Sequence, residues 1–317
     1  MKNKSNSLLL ALVCVLSFSK ADAVVLFGAD NTANLTNPGS GLPFDTVGRV
    51  SSLANIEDGG SGVHLGNGFM ITAAHIPDSE LNSVTFDSST FFMRDLSYIP
   101  VQIGTADLKI FKLTTTPTIG SATLYNGSAE LLNNASLVGF GSGRMTGAPV
   151  NTLVVPFAPG GSPLPKRWGT NQPRSEVQDF SYNSGATNYT FDALVTTLGS
   201  SSGIPSGNGD FEAAAGTRDS GSGLFQEIGG IWYLTGITSV IAQRNAGNAT
   251  FGNDVPAVIS SGSPSSPSTI RLSPGGGDPN VFVQVSTYQS QIATLIPEPS
   301  VALLSLLALP FALRRRR

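Results

Sequence analysis

The chain alternates short apolar runs, rich in Val, Ile, Thr and Phe, with clusters of Gly, Ser, Asn and Pro. Runs of this length that end at turn-forming residues are typical of β-strands. The predicted strands are Val47 to Leu53, Phe69 to Thr72, Ser83 to Phe86, Leu108 to Leu113, Ser136 to Phe140, Ile231 to Ile241 and Val281 to Val285. This spacing favours a β-sandwich or β-barrels over alternating strands and helices.

Few segments break this β pattern. A turn is predicted at Ala73 to Ile76, and a helix at Ser286 to Leu295, with Ser286 as its N-terminal cap. Lys109 and Lys112 are expected on a solvated strand face and at its end. Three segments rich in Gly, Pro and Ser are predicted to be loops or insertions: Gly141 to Arg174, Ser260 to Pro279 and Ala29 to Pro43.

The N-terminal segment Met1 to Ala23 has the pattern of a secretory signal. Lys2 and Lys4 precede an apolar stretch from Leu8 to Phe18, and Ala21-Asp22-Ala23 offers a small-x-small cleavage site. Cleavage there would start the mature chain at Val24. It would also remove Cys14, which is the single cysteine of the chain, so the exported protein would rely on its hydrophobic core rather than on disulfides.

The C-terminal segment has the pattern of a second targeting signal. Pro297-Glu298-Pro299-Ser300 is followed by an apolar run, Val301 to Leu313, and by Arg314 to Arg317. This order resembles the PEP-CTERM sorting tail of Gram-negative bacteria. The resemblance implies export, transient anchoring in the inner membrane by the apolar tail, and removal of the tail by an exosortase-type enzyme. An ordinary stop-transfer anchor is the alternative.

Composition and charge restrict the functions that the chain can have. It holds 317 residues, of which 12% are charged, and only two are histidines. Neither a His-Glu-x-x-His motif nor a Cys-x-x-Cys pair occurs, which excludes most metal chemistry. No metal or other cofactor is predicted, and calcium bound by carboxylates and carbonyls is the alternative. Removing both ends takes away seven of the 18 basic and two of the 21 acidic residues, which leaves a net charge of −8. A mature chain with this negative charge is not expected to bind nucleic acid or anionic lipid.

Three separated motifs supply one set of reactive side chains. His75 follows the small residues of Thr72-Ala73-Ala74, Asp107 precedes an alternating strand, and Ser220 lies in Asp219-Ser220-Gly221 before another strand. A serine hydroxyl is a poor nucleophile at neutral pH, so it needs an imidazole to take its proton, and an acid that orients the imidazole. Asp95 is the rival acid, whereas the other histidine, His64, is expected to be structural because it lies in mid-strand.

These motifs resemble those of chymotrypsin-like (trypsin-family) serine proteases. Thr72-Ala73-Ala74-His75 and Asp219-Ser220-Gly221 match the two most specific signatures of that family, in the family's order of His, Asp and Ser. Weaker matches extend the resemblance from about Phe44 to Leu295. It implies an all-β fold of two antiparallel six-stranded barrels, with the active site between them and a short C-terminal helix. It also implies that His75 is the base, Ser220 the nucleophile and Asp107 the orienting acid.

One position departs from the family pattern. The residue two before the serine is normally a glycine, whose backbone N–H binds the oxyanion together with that of the serine; here it is Arg218. A side chain at this position restricts the backbone conformation. We expect the backbone N–H groups of Arg218 and Ser220 to form the oxyanion hole, and the activity to depend on whether the loop lets Arg218 present its N–H.

The resemblance also implies a specificity pocket and a mode of activation. Ala214 would form the floor of the primary pocket, and Ser239, Val240 and Ile241 would line the substrate-pairing edge, which favours small or medium apolar residues before the cut. Asp219 would pair either with a new N-terminal ammonium, such as that of Val24, or with groups within the fold.

The sequence therefore predicts a secreted serine endopeptidase that acts on protein or peptide substrates. The alternative is a catalytically weak or inactive relative that binds partners at the cell surface or in the exopolysaccharide. Signal peptidase and an exosortase-type enzyme are its expected processing partners. The predicted organisation is a signal peptide (1–23), an N-terminal extension (24–43), a first barrel (about 44–125), a second barrel (about 126–295) and the sorting tail (296–317).

Overall fold

The structure is a computed structural model. It describes residues 24–26, 32–52, 59–87, 89–141, 154–157, 165–197, 211–216, 218–241, 268–271 and 279–296. The predicted signal segment, and the predicted sorting tail from residue 297 onward, therefore lie outside the described residues. In the part of the chain that is described, no helix has the length and apolar character needed to cross a membrane.

Strand β1 (Val25–Leu26) precedes the first barrel. The first barrel is one antiparallel sheet built from consecutive parts of the chain. Its strands are β2 (Val47–Ser51), β3 (Ser61–Gly66), β4 (Phe69–Thr72), β5 (Ser83–Thr85), β6 (Phe91–Met93), β7 (Val101–Gln102) and β8 (Lys109–Lys112). Their order in the sheet is β6-β5-β2-β3-β4-β8-β7. A bridge between Arg94 and Leu113 joins the end of β6 to the end of β8, so the sheet curls back on itself.

The second barrel contains longer strands and the C-terminal helix. The remaining elements are β9 (Ala135–Gly139), β10 (Val154–Phe157), β11 (Arg167–Asn171), β12 (Ser175–Ser184), β13 (Thr187–Thr197), β14 (Ala213–Ala214), β15 (Gly223–Ile228), β16 (Ile231–Ile241), β17 (Ser268–Arg271), β18 (Pro279–Gln284) and α1 (Val285–Leu295). The main sheet has the order β11-β9-β15-β16-β18-β13-β12, while β10 pairs with β17 and β1 pairs with β14.

The two barrels share one large apolar core. It joins side chains of the first barrel, such as Val47 and Ile71, with side chains of the second, such as Val138 and Ile237. Because alternate strand residues point to opposite faces, each short apolar run contributes one row of side chains to this core. The two-barrel, all-β architecture predicted from the sequence is confirmed, and each main sheet has seven described strands where six were expected.

Some of the element predictions were wrong. The segments 141–174 and 260–279 are not simple loops, because they contain β10, β11 and β17. Helix α1 is confirmed, but Ser286 is not its cap: Gln284 occupies the N-cap position, and Ser286 Oγ donates instead to the buried carboxylate of Glu130. A carboxylate at this end of a helix is stabilised by the helix dipole.

Candidate active site

His75 lies three residues after the end of β4, in the connection between β4 and β5 of the first barrel. Ile76 N donates to Ala73 O at 3.3 Å, which closes the turn. Lys109, expected on a solvated face, is largely buried instead: its ammonium donates to Ile76 O at 2.9 Å and pairs with Asp78 at 2.7 Å. Contacts within the first barrel, from Ala73 before the histidine and from Lys109 of β8, therefore fix the turn that carries His75.

Asp107 lies just before β8 and is fully buried beside His75. Its Oδ1 accepts the backbone N–H of His75 at 2.8 Å, and its Oδ2 faces His75 Nδ1 at 2.8 Å. Oδ2 also accepts hydrogen bonds from the hydroxyls of Ser239 and Tyr182. Burial raises the pKa of Asp107, but the His75 imidazole and these hydrogen bonds outweigh it, so the pKa lies below its ordinary value. The carboxyl group is therefore ionised and orients the imidazole.

Ser220 completes the hydrogen-bonded chain from the second barrel. Its Oγ lies 2.8 Å from His75 Nε2. The Ser220 carbonyl accepts from Ser61 N at 2.7 Å, and Gly221 N donates to Thr238 O at 2.8 Å, so both barrels hold the loop. Gly221 has φ +81°, and a Cβ there would lie 2.0 Å from Ser61 O, so only glycine fits after the serine.

Arg218 adopts a backbone conformation that glycine normally supplies. Its φ is +73°, and Asp219 N donates to Gly216 O at 3.1 Å across it. An arginine in this conformation carries local strain, since the left-handed region is unfavourable for residues that have a Cβ.

Asp219 is buried beneath this turn and binds it to two other segments. Its carboxylate accepts hydrogen bonds from Gly216 N at 2.7 Å and Gly141 N at 2.8 Å, and from Ser222 Oγ at 3.2 Å. The backbone nitrogen of the fully buried Val24 approaches its Oδ2 at 3.4 Å. Burial raises the pKa of Asp219 to about 6, against the effect of the N–H donors. Of the two pairings expected for Asp219, the structure contains the one within the fold, because Val24 N is here a peptide nitrogen and not an ammonium.

The predicted specificity residues lie in two strands of the second barrel. Ala214 is buried in β14, where it pairs with Val25 of β1. Ser239 and Val240 are buried in β16, and the side chain of Ile241 lies outside the described residues. The pairing of β16 with β18 shifts register between Thr238 and Val240, so Ser239 occupies a bulge. Its side chain therefore turns toward the Asp107 carboxylate.

The structure separates the other candidates from the site. Asp95 lies in an exposed loop, where its carboxylate accepts hydrogen bonds from Ser97, and it does not contact His75. His64 is buried in β3, with Nδ1 2.9 Å from Gly120 O and its ring edge-on to Phe86. Burial lowers the pKa of His64. The described residues contain no group of three or more His, Cys, Asp or Glu side chains that could hold a metal ion.

Sequence reasoning missed Tyr182, whose hydroxyl donates to Asp107 Oδ2 at 2.6 Å. The residue lies in the hairpin of β12 and β13, which was not among the predicted strands. The signal for this hairpin is an alternation of aromatic residues, Phe180 and Tyr182 before Gly185, and Tyr189 and Phe191 after it. Nothing in that pattern indicates that one of these four side chains reaches the first barrel.

No family model matches the sequence, and neither does any curated protein. Solved structures match it over most of its length. The protease Rv3671c of M. tuberculosis in its active form covers 95% of this chain and 96% of its own, at 12% identity and a TM-score of 0.51. Neuropsin, a serine protease of mouse brain, covers 83% and 98% at 16% identity and a TM-score of 0.48. The MamO protease domain of Magnetospirillum magneticum covers 81% and 99% at 16% identity and a TM-score of 0.44.

These identities are too low to carry function, so the likeness to the M. tuberculosis protease establishes the fold. The chain has the two-barrel fold of chymotrypsin-like serine proteases. Between its barrels, Ser220, His75 and Asp107 form a continuous hydrogen-bonded chain.

Proposed function

We propose that the protein is a serine endopeptidase that cleaves peptide bonds through an acyl-enzyme. The observation that carries this proposal is the chain of two 2.8 Å contacts from Ser220 Oγ through the His75 ring to the Asp107 carboxylate. A buried, ionised acid on Nδ1 leaves the neutral imidazole with Nε2 free to accept a proton, and Nε2 is the nitrogen that faces the serine.

The first half of the reaction transfers the serine proton. As Ser220 Oγ attacks the peptide carbonyl, His75 Nε2 takes its proton, and Asp107 stabilises the imidazolium that forms. The oxyanion of the tetrahedral intermediate is bound by the backbone N–H groups of Arg218 and Ser220. The intermediate then expels the amine, which receives its proton from His75, and the acyl group stays on Ser220 Oγ as an ester.

The second half repeats these steps with water. His75 takes a proton from water as the water oxygen attacks the ester, and it returns a proton to Ser220 Oγ as the new carboxylic acid leaves. The enzyme is thereby restored. The rate should fall at acid pH, because a protonated His75 ring cannot take the serine proton.

Arg218 keeps a second function open, that of a peptide-binding protein without turnover. Losing one oxyanion donor lowers the rate by about 10²- to 10³-fold. A strained arginine at this position is the specific observation that favours a weak or silent relative.

Labelling by a fluorophosphonate separates the two functions, because it requires an activated serine. The peptidase is expected to react at Ser220, and a Ser220→Ala variant to remain unlabelled. Peptide hydrolysis by the same preparations is the second readout. A folded wild-type protein that is neither labelled nor active on any peptide of a panel would overturn the peptidase proposal and support the binding protein.

The proposed substrate preference is for small or medium apolar residues before the cut. It is supported by the absence of an acidic side chain at Ala214, the expected floor of the pocket. A peptide panel that varies this residue tests the preference. Faster cleavage after Arg than after Ala or Val would contradict it.

We further propose that the protein is exported from a Gram-negative cell and is processed at both ends. Signal cleavage after Ala23 would turn Val24 N into an ammonium, and its 3.4 Å approach to Asp219 supports a role for that charge in ordering the oxyanion loop. Mass spectrometry of the exported protein is expected to find Val24 as the first residue and no residues after the Pro297-Glu298-Pro299 motif. An N-terminus elsewhere would contradict this route of maturation.

A further inference from the structure

The hairpin of β12 and β13 reaches from the second barrel onto the segment that carries Asp107. The pairing of its strands shifts register between Val177 and Phe180, which marks a bulge, and Asp179 within the bulge has φ +52°. Bulges bend a strand and re-aim its side chains. Beyond this bulge, Thr190 N donates to Thr105 O at 3.0 Å, and Thr105 Oγ1 donates back to Thr190 O at 2.9 Å. Strand β13 is thus attached to the first barrel at Thr105, two residues before Asp107.

This docking brings Tyr182 beside the contact between Asp107 and His75. The tyrosine hydroxyl lies 2.6 Å from Asp107 Oδ2 and 3.1 Å from His75 Nδ1. Its ring is 4% exposed and packs against Tyr189, Phe180 and Phe191. Burial and the negative charge of Asp107 raise the pKa of Tyr182, so the hydroxyl keeps its proton and donates it.

We propose that Tyr182 is a positioning residue of the active site, which fixes the Asp107 carboxylate and shares its negative charge. The inference deepens the proposed peptidase function and rests on it. Hydrogen bonds to a charged acceptor are among the stronger ones, and a carboxylate without solvent contact depends on them for its orientation. Three donors share the negative charge on Oδ2: His75 Nδ1–H, the Ser239 hydroxyl and the Tyr182 hydroxyl. Each hydroxyl therefore weakens the electrostatic stabilisation that Asp107 gives to a protonated imidazole.

The other charged or titratable groups near this carboxylate are few among the described residues. Tyr189, the cross-strand neighbour of Tyr182, has its ring centre 5.4 Å away, and burial raises its pKa. Lys109, two residues after Asp107, turns away to Asp78. Removal of the Tyr182 hydroxyl should therefore act on the site through Asp107 and His75.

The test compares Tyr182→Phe with a matched control, Tyr189→Phe, in the full processed protein. Both changes keep a ring in the same hairpin and remove one hydroxyl, and only Tyr182 donates to Asp107. In Tyr182→Phe we expect kcat to fall about tenfold at unchanged KM, because the Asp107 carboxylate loses a donor that fixes it and then orients the imidazole less well, at a place that does not touch the substrate. The acid limb of the pH–rate profile should move to higher pH by about half a unit, since the remaining charge on Oδ2 favours the imidazolium more strongly. Tyr189→Phe should match the wild type in all three quantities.

An NMR titration of the histidine rings gives a readout that needs no turnover. The chain has only two histidines, so a His64→Gln variant identifies the signals of His75. Protonation of the His75 ring should occur at higher pH in Tyr182→Phe than in the wild type. An unchanged or lower midpoint in Tyr182→Phe would overturn the role of Tyr182 even in an active enzyme. If Tyr182→Phe shows the shift but the wild type hydrolyses no peptide, only the peptidase function is overturned. Loss of folding in Tyr182→Phe but not in Tyr189→Phe would make the hydroxyl purely structural and would also overturn the inference.

Discussion

Arg218 offers the sharpest test of how the proposed oxyanion hole works. The residue holds φ +73° in the turn between Gly216 and Asp219. Two substitutions separate the side chain from the backbone. Arg218→Ala removes the guanidinium but keeps the Cβ that disfavours positive φ, whereas Arg218→Gly removes both. The difference between the two variants therefore isolates the backbone conformation.

The expected size of that difference follows from the conformation. A residue with a Cβ pays about 1 kcal/mol to hold the left-handed region, and glycine does not. If the loop exchanges between this conformation and one in which residue 218 has negative φ, glycine shifts the ratio toward the observed form by about fivefold. The same 1 kcal/mol is expected in the free energy of unfolding, reduced by the greater freedom of glycine in the unfolded chain.

The assays are the rate of fluorophosphonate labelling, kcat for a peptide substrate, and urea unfolding. We expect Arg218→Gly to be labelled several times faster than Arg218→Ala and to unfold at a higher urea concentration. Equal rates for the two variants would show that the positive φ does not limit activity. A loss of activity in both, with the fold intact, would show that the arginine side chain itself takes part, and either result would refute the reasoning.

Three other changes test the rest of the site. Asp107→Asn should leave the fold intact and lower kcat by about 10⁴-fold, because the amide favours the wrong imidazole tautomer, and steady-state kinetics with active-site titration measures this. Gly221→Ala should abolish labelling, since its Cβ would lie 2.0 Å from Ser61 O, and it should lower the melting temperature seen by circular dichroism. A chain that keeps residues before Val24 should lose stability as the pH rises from about 4 through about 6, because the raised pKa of Asp219 favours its protonated form in the folded state and ionisation then costs free energy. A chain that starts at Val24 should lose less, since its ammonium faces the carboxylate, and urea unfolding across this pH range compares the two.

The fold was predictable where local pattern and tertiary environment agree. Strands β4 and β16 begin and end at the residues expected, because their apolar side chains face the shared core. Strand β11 could not be found in this way, since Arg-Trp-Gly-Thr-Asn has no apolar alternation. It forms because β9 pairs with it and because the buried Arg167 donates to Asn34, 133 residues earlier in the chain. Such partners become visible only in three dimensions.

The residues of the candidate site also fall into those that local sequence predicts and those that only the tertiary structure reveals. His75, Asp107 and Ser220 stand in short motifs that local sequence reveals, and the structure brings them into contact. The hydroxyls of Ser239 and Tyr182 also meet at Asp107; Ser239 lies in a β-bulge of β16, and Tyr182 follows a β-bulge of β12. A bulge adds an unpaired residue and reverses which side chains point inward, so strand periodicity alone places such a residue on the wrong face.

The strain at Arg218 is tolerated because its neighbours fix the loop independently of the arginine. Asp219 N and its carboxylate hold Gly216 from both directions, at 3.1 Å and 2.7 Å, and Ser222 N donates to Asp219 O at 2.8 Å. On the far side of the serine, Gly221 N is bound to Thr238 of β16. A sparsely populated conformation persists only where the surrounding contacts determine it, and these contacts do so at both ends of the turn. The loop should therefore depend more on Asp219 than on the residue at 218, so Asp219→Asn should cost more labelling rate than Arg218→Ala.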